Sequence, residues 1–165
     1  MFVKKFEKDE WQTYKAIRLE ALSLHEDVYG GSFKDEAAWD DSVWAEMFAH
    51  DKYAFFGLYD MASLVGIACV FADRSDKEGK SALLAGAYIR EGYRGKSYSG
   101  LLYEARIGWI VNCGHFDRIT VGHKQGNEAS RRANQNFGFQ PIGQEEKSWG
   151  DGSKGIIHKY ELKVA

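Results

Sequence analysis

The segment ALLAGAYIREGYRGKSYSGLLYEARIGWI, residues 82–110, changes character twice. It begins as an apolar run typical of a buried strand and passes through a turn rich in glycine, serine and basic residues. It ends with apolar residues at helical spacing. A helix N-terminus presents unpaired backbone N–H groups and the positive end of the helix dipole. The segment therefore predicts a strand, an anion-binding turn and a helix in succession.

The composition is that of an ordinary folded chain. With 165 residues, 15% aromatic side chains and one proline, it is long enough to cover both faces of a sheet. We therefore expect one domain spanning residues 1–165. No run of about 18 apolar residues predicts a membrane span. The N-terminus lacks the apolar centre of a signal peptide, which predicts a cytoplasmic protein.

Charge and cysteine content argue against several classes of function. The net charge of −2 argues against a nucleic-acid surface. Cys69 and Cys113 stand alone, without the spacing of a zinc site or a disulfide framework, so we expect no metal. Acidic side chains outnumber basic ones in residues 1–60, and basic ones prevail afterwards. This pattern is typical of solvated helix faces, or of an acidic cleft that precedes an anion site.

The rest of the chain alternates between helix and strand patterns. They predict the order β-α-α-β-β-β-α-β-α-β-β, an α+β fold. The first helix is predicted to begin at Trp11 with Asp9 as its cap, and the second to carry Trp39 and Trp44 on one face. Gly86, inside its strand, predicts a bulge.

Three explanations fit the basic turn. A nucleotide P-loop is suggested by RGKS, but Arg90 stands where that motif requires its first glycine. A structural turn needs only Ser97 or Ser99 to cap the helix. The third explanation is a site for the pyrophosphate of acetyl-CoA, to which Arg94 and Lys96 would add positive charge.

Three stretches of the chain resemble the GNAT superfamily of N-acetyltransferases. YIREGYRGKSYSGLLYEA resembles the family's cofactor loop, Arg/Gln-x-x-Gly-x-Gly/Ala, with Arg94 in the first position and Ser97 and Ser99 where glycine is usual. ITVGHKQGNEASRRANQNFGF resembles the next strand and helix, with Asn127 and Gly138 in register. WQTYKAIRLEALSLHEDVYGGSFKDE resembles the opening helix and loop. The resemblance covers nearly the whole chain in the correct order.

This resemblance implies a strongly twisted mixed β-sheet, flanked by helices, whose two central strands splay apart to hold a thioester. It implies acetyl-CoA as co-substrate, and transfer of its acetyl group to a primary amine of a small molecule or peptide by direct attack in a ternary complex. Backbone N–H groups around Tyr88 and Ile89 are expected to bond the pantetheine arm or the acetyl carbonyl. The residues implied to contact the cofactor are Tyr88, Ile89, Arg94, Gly95, Lys96, Ser97, Tyr98, Ser99, Gly100, Asn127 and Asn134.

The same resemblance suggests catalytic residues. Family members commonly use a tyrosine in the last helix as general acid, but here Asn134 occupies that register, and an amide has no proton to give near neutral pH. Tyr98 is the predicted substitute, with Tyr103 as a second candidate. His123, at the end of the strand entering the cleft, is the predicted general base because imidazole titrates near neutral pH. The alternative bases are Glu20, Glu91, His25 and a water relay. Arg18, near the apolar side of the first helix, either faces the acceptor or packs its stem there with its charge in solvent.

Asn134 also leaves a second function open, a non-catalytic acyl-CoA-binding or regulatory domain of the same fold. The acidic first half favours a cationic acceptor such as a polyamine, an antibiotic or a peptide amine. The loop HEDVYGGSF, residues 25–33, is expected to select it. Many relatives dimerise, so a homodimer is compatible with the resemblance. We expect neither nucleic acid nor membrane as a partner.

Overall fold

A computed structural model describes residues 1–165, and one seven-stranded sheet organises them. The strands are Phe2–Lys5 (β1), Ala54–Asp60 (β2), Ser63–Ala72 (β3), Ser81–Ile89 (β4), Arg118–Lys124 (β5), Gln140–Ser148 (β6) and Lys154–Lys163 (β7). They lie in the order β1-β2-β3-β4-β5-β7-β6. All neighbours are antiparallel except β4 and β5, which are parallel. The predicted mixed sheet of an α+β fold is confirmed.

Five α-helices flank the sheet. They are Trp11–Leu24 (α1), Phe33–Ala37 (α2), Asp41–Ala49 (α3), Ser99–Cys113 (α4) and Glu128–Asn136 (α5). Short 3-10 turns occupy Lys8–Glu10 and Glu91–Tyr93. None of the helices combines the length and the apolar character that crossing a membrane requires.

The first half of the chain differs locally from the predicted order. The short helix α2 was not predicted; it begins where the Ser32 side chain accepts a hydrogen bond from the N–H of Asp35. Trp39 consequently lies between α2 and α3 and not on a helix face. A 3-10 turn precedes α1, so Asp9 lies inside that turn and the N-cap is Glu10. The prediction of Asp9 as the cap was wrong.

Side chains that alternate along the strands build two cores, one on each face of the sheet. In β3, Ile67 and Cys69 belong to the core beneath α1 and α3, whereas Ala68 and Val70 belong to the core beneath α4. This division follows from the two-residue period of a strand. The helices close the first core with Tyr14, Ile17, Ala21 and Trp44, and the second with Leu102, Tyr103 and Ile110.

The two parallel strands are paired at one end only. Ser81–Leu83 of β4 pairs with Arg118–Thr120 of β5, and no pairing between them follows. Gly86 has a φ of +62° and lies where the register of β4 against β3 shifts, so the predicted bulge is confirmed. Because a bulge bends its strand, the far half of β4 turns away from β5 and a gap opens between them.

Candidate active site

A cavity of about 600 Å³ lies in the gap between β4 and β5. Residues 83–89 and 121–124 form its strand walls. Residues of all five helices, of β3, β6 and β7, of the loop after α1 and of the turn between β6 and β7 add to the lining. A deep cleft at the point where two strands diverge can hold a long, thin ligand with its reactive end inside the protein.

The turn at the start of α4 has the features of an anion site. The five consecutive backbone N–H groups from Gly95 to Ser99 donate to no other group of the protein. Ser97 lies in the left-handed region at φ +62°, and Tyr98 follows in the right-handed region, a combination that turns neighbouring N–H groups toward one side. No side chain caps the helix, which excludes a plain capped turn. The space beside Gly95 is open, since nothing lies within 4 Å of a methyl group placed on it.

Arg94 lies between this turn and the cavity. Its Nε donates to the carbonyl oxygen of Ile89 at 2.6 Å, and its guanidinium lies 5.7 Å from the centre of the Tyr88 ring. Its Nη2 lies 2.9 Å from His25 Nε2. Because a guanidinium can only donate, His25 accepts this bond and carries no proton at Nε2. Lys96 belongs to the turn itself, and its side chain is exposed.

Glu20 is held as an ion at the rim of the cavity. Its carboxylate accepts two bonds from Arg90, at 2.8 and 2.9 Å, and one from the Tyr88 hydroxyl at 2.8 Å. The hydrogen bonds from Arg90 are the main cause that lowers the pKa of Glu20. This carboxylate is therefore a poor base near neutral pH. Glu91, another alternative base, is exposed and does not line the cavity.

His123 lines the cavity and is 6% exposed, but both ring nitrogens already have partners. Nδ1 lies 3.0 Å from the carbonyl oxygen of Lys124, so Nδ1 carries the proton. Nε2, 3.0 Å from the Tyr160 hydroxyl, is then the acceptor. The only lone pair of the neutral ring is thus occupied by Tyr160. The role of His123 as general base stays a prediction.

The structure places Tyr103, not Tyr98, in the cavity wall. Tyr98 packs against the core beneath α4 and does not line the cavity. The Tyr103 hydroxyl donates to Asn134 Oδ1 at 2.6 Å, and its ring stacks on Phe137. Asn134 is completely buried and its Nδ2 has no partner. A phenol from α4 therefore contacts the buried amide of α5.

Asn127 has the capping role, and its amide nitrogen is still available. Its Oδ1 accepts from the N–H of Ser130 at 3.1 Å, as expected of the N-cap of α5. Asn127 also lines the cavity, and its Nδ2 makes no bond within the protein. The residue can cap the helix and still donate to a ligand.

Several lining residues were not predicted from the sequence. Glu36 is one of them: it accepts two bonds of 2.9 Å from Arg18, which the sequence had already singled out on the first helix, and both side chains are largely buried. Trp149 lies in the β6–β7 turn, with Nζ of Lys124 and Lys147 at 5.0 and 5.5 Å from its ring. Arg106 also lines the cavity, and its burial could have been predicted from the sequence. It lies four residues from both Leu102 and Ile110, which places it on the apolar face of α4. The other unpredicted lining residues follow no sequence pattern.

The acids of the first half lie mainly on outer surfaces and not in the cavity, as exposed Asp40, Asp41 and Glu46 illustrate. Glu36 is the only carboxylate in the lining, and Arg18 neutralises it. Of the two explanations for the acidic pattern, solvated helix faces agree with the structure and an acidic cleft does not.

The fold and site combine a mixed sheet that opens between two parallel strands, a cavity in that gap and a turn with free backbone N–H groups. Residues 18–139 match the model of the acetyltransferase (GNAT) family. The chain belongs to the GNAT family. No match was found among curated proteins.

Solved structures with the same fold include enzymes bound to acetyl-CoA. A GNAT-family acetyltransferase from Streptococcus pneumoniae superposes with a TM-score of 0.81 at 18% identity, covering 99% of each chain. The yncA protein of Salmonella typhimurium, solved with its cofactor acetyl-CoA, gives 0.80 at 18% identity and covers 100% of this chain and 94% of its own. A phosphinothricin acetyltransferase from Sinorhizobium meliloti in complex with acetyl-CoA gives 0.78 at 14% identity, covering 99% and 88%. At these identities the likeness shows the fold.

Proposed function

We propose that residues 1–165 form one N-acetyltransferase domain that transfers the acetyl group of acetyl-CoA to a primary amine of a small molecule or peptide. One observation carries the proposal: the five free N–H groups of Gly95–Ser99 directly follow Arg94, a lining residue of the cavity between β4 and β5. The amides would hold the diphosphate, and the gap between β4 and β5 would receive the pantetheine arm. Lys96 adds positive charge at the turn, and Asn127 Nδ2 offers a donor along the gap.

Acetyl-CoA supplies an activated acetyl group, so the reaction needs no further cofactor. A nitrogen–carbon bond forms between the acceptor amine and the acetyl carbonyl, and the carbon–sulfur bond breaks. The amine gives up one proton and the departing sulfur takes one, so the products are an amide and free CoA. The protein must bind both substrates together and stabilise charge at the carbonyl oxygen and the sulfur.

Tyr103 is our candidate for the group that stabilises the sulfur. Burial raises the pKa of Tyr103, which keeps the phenol protonated and makes it a hydrogen-bond donor. Turning the Asn134 amide over would place Nδ2 against the Tyr103 oxygen and leave the hydroxyl hydrogen free to point into the cavity. This rotation of the amide also gives the buried Nδ2 of Asn134 a partner. Tyr98, predicted from the sequence for this role, is less well placed because it lies outside the cavity lining.

His123 is our candidate for the group that receives the amine proton. Its acceptor nitrogen can take a proton only if the Tyr160 hydroxyl turns away. A water molecule in the cavity is the alternative acceptor. Formation of a homodimer is a further prediction that rests on the family resemblance, and a cytoplasmic location also stays a prediction.

The second candidate function is an acyl-CoA-binding domain without catalysis. Asn134 in the tyrosine register and the bonded state of both His123 nitrogens favour it. Both functions require CoA binding, and only the first releases CoA in the presence of an amine. Release of CoA from acetyl-CoA, measured across a panel of amines and without acceptor, distinguishes the two.

The test of the shared site is a charge reversal beside the proposed diphosphate. We expect Lys96→Glu to weaken CoA binding at least about tenfold, since a charge-assisted bond contributes about 1.5–3 kcal/mol. The matched control is Lys77→Glu, an exposed lysine in the loop at the opposite end of β4. Isothermal titration with CoA measures both variants. Equal affinity in folded Lys96→Glu and wild type would refute the assignment of the diphosphate to this turn.

A further inference from the structure

The cavity carries far more positive than negative charge. Its charged lining residues, apart from the histidines, are Arg18, Glu36, Arg94, Arg106, Lys124 and Lys147. Arg18 occupies the single carboxylate through two hydrogen bonds, so four cationic groups have no carboxylate among the lining residues. Such a surface repels polyamines and other cationic acceptors, and it attracts ligands that bring negative charge.

Arg106 is the most unusual of these cations. It is 2% exposed, and within the protein it makes one hydrogen bond, from Nε to the carbonyl oxygen of Leu102 on its own helix. Its guanidinium lies 5.0 Å from the centre of the Tyr103 ring, and it has no ion-pair partner. A buried charge without a counter-charge is strongly unfavourable, as the lowering of the pKa of Arg106 by burial indicates. A bound anion would supply the missing partner.

Arg18 offers a second donor from the opposite face of the sheet. Its Nε and Nη2 bind Glu36, but Nη1 is buried and has no partner. Nη1 faces the bulge: it would lie 3.9 Å from a methyl group placed on Gly86. Cys69, whose sulfur would lie 2.8 Å from the same methyl group, and Arg106 line the cavity as well. Both arginines therefore line one cavity, from opposite faces of the sheet.

CoA does not account for this pair of arginines. Arg106 lies seven residues after Ser99, and the bond from its Nε to the carbonyl oxygen of Leu102 places the guanidinium about one turn into α4. The phosphates would be held by the backbone N–H groups before the helix, whereas Arg18 Nη1 faces Gly86 on the other side of the sheet. The acetyl group and the pantetheine arm are uncharged and cannot neutralise these arginines.

We propose that the acceptor is an amine that carries an anionic group a few bonds from its nitrogen, as free amino acids do, and that Arg106 and Arg18 Nη1 bind this group. The inference rests on the proposed acetyl transfer and identifies the class of its second substrate. Positive surroundings also disfavour the ammonium form of the acceptor, so they assist formation of the neutral nucleophile. The anionic group holds the acceptor in place while the amine loses its charge.

The experiment compares amines that differ only in the anionic group. Phenylalanine is paired with phenethylamine, methionine with 3-(methylthio)propylamine, and spermidine serves as a cationic reference. CoA release measures turnover, and quenching of tryptophan fluorescence in the presence of CoA measures binding independently, because Trp39, Trp44 and Trp149 line the cavity. We expect each carboxylate compound to bind about 10- to 100-fold more tightly than its partner, as expected for hydrogen bonds to a charged group.

The variants Arg106→Met and Arg106→Lys test the assigned residue, and Arg132→Met, at an exposed arginine of α5, is the matched control. We expect Arg106→Met to lose most of the preference for the carboxylate with CoA affinity unchanged, and Arg106→Lys to keep part of it. Equal binding of the paired compounds to wild type, a preference for spermidine, or an undiminished preference in folded Arg106→Met would overturn the proposal. If carboxylates bind and no amine is acetylated, the anion site stands and the proposed acetyl transfer fails.

Discussion

The bulge at Gly86 can be tested by adding a single methyl group. In Gly86→Ala the new side chain must adopt φ +62°, which costs about 1–2 kcal/mol for an L-residue. The methyl group would also lie 2.8 Å from Cys69 Sγ, inside the closest normal contact, and overpacking of this kind costs about 1–3 kcal/mol. We therefore expect a loss of about 2–5 kcal/mol in the free energy of unfolding.

A second variant separates the two contributions. Cys69→Ala removes the sulfur, so Gly86→Ala in that background should cost only the backbone part, about 1–2 kcal/mol. Urea unfolding of the wild type, the two single variants and the double variant gives the coupling energy. Titration with CoA shows whether the altered bulge also narrows the gap between β4 and β5. If it does, Gly86→Ala lowers the affinity for CoA both in the wild type and in Cys69→Ala. Equal costs of Gly86→Ala with and without the sulfur would refute the steric argument, and no cost at all would refute the bulge.

Three further predictions follow from the same contacts. Tyr103→Phe should lower the rate of CoA release about 10- to 100-fold with CoA affinity unchanged, since it removes one hydrogen bond to a developing charge; an unchanged rate would exclude the phenol. His123→Gln should lower kcat/KM for the amine if the imidazole receives the amine proton, and an unchanged kcat/KM would assign that step to water. The bonds from Arg90 lower the pKa of Glu20, so this carboxylate contributes stability at neutral pH that is lost as the pH falls through its folded-state pKa. The melting temperature of the wild type should therefore exceed that of Glu20→Gln at pH 7, and the difference should vanish well below pH 4.5; a difference that persists in acid would contradict the ion pair.

The fold was largely predictable because its signals are local. The start of α4 is predicted by small and basic residues that precede apolar residues at helical spacing. The bulge is predicted by a glycine inside a strand. Short α2 was missed because five residues give no periodicity, and only the cap at Ser32 marks its start. The position of Asp9 was missed because a 3-10 turn before α1 shifts the cap by one residue.

The chemistry of the cavity was less predictable because it depends on contacts between residues that are far apart in the sequence. Tyr103 and Asn134 are 31 positions apart and meet only because α4 and α5 pack together. The charge of the lining could not be deduced from the acidic first half, since composition does not tell which face of a helix is buried. Arg106 was accessible in principle: it lies four residues from both Leu102 and Ile110, so helical spacing places it on the buried face of α4.

A buried, unpaired Arg106 should reduce the stability of the protein without ligand. Methionine has similar helix propensity and suits the apolar face, so Arg106→Met should raise the free energy of unfolding by about 1 kcal/mol or more. A carboxylate-bearing acceptor should then stabilise the wild type against heat in proportion to its binding, and stabilise the variant far less. Thermal unfolding of both proteins with CoA, with and without methionine, measures the two effects together. A variant less stable than the wild type without ligand would show that Arg106 is already neutralised in the free protein, and the reason for an anionic acceptor would disappear.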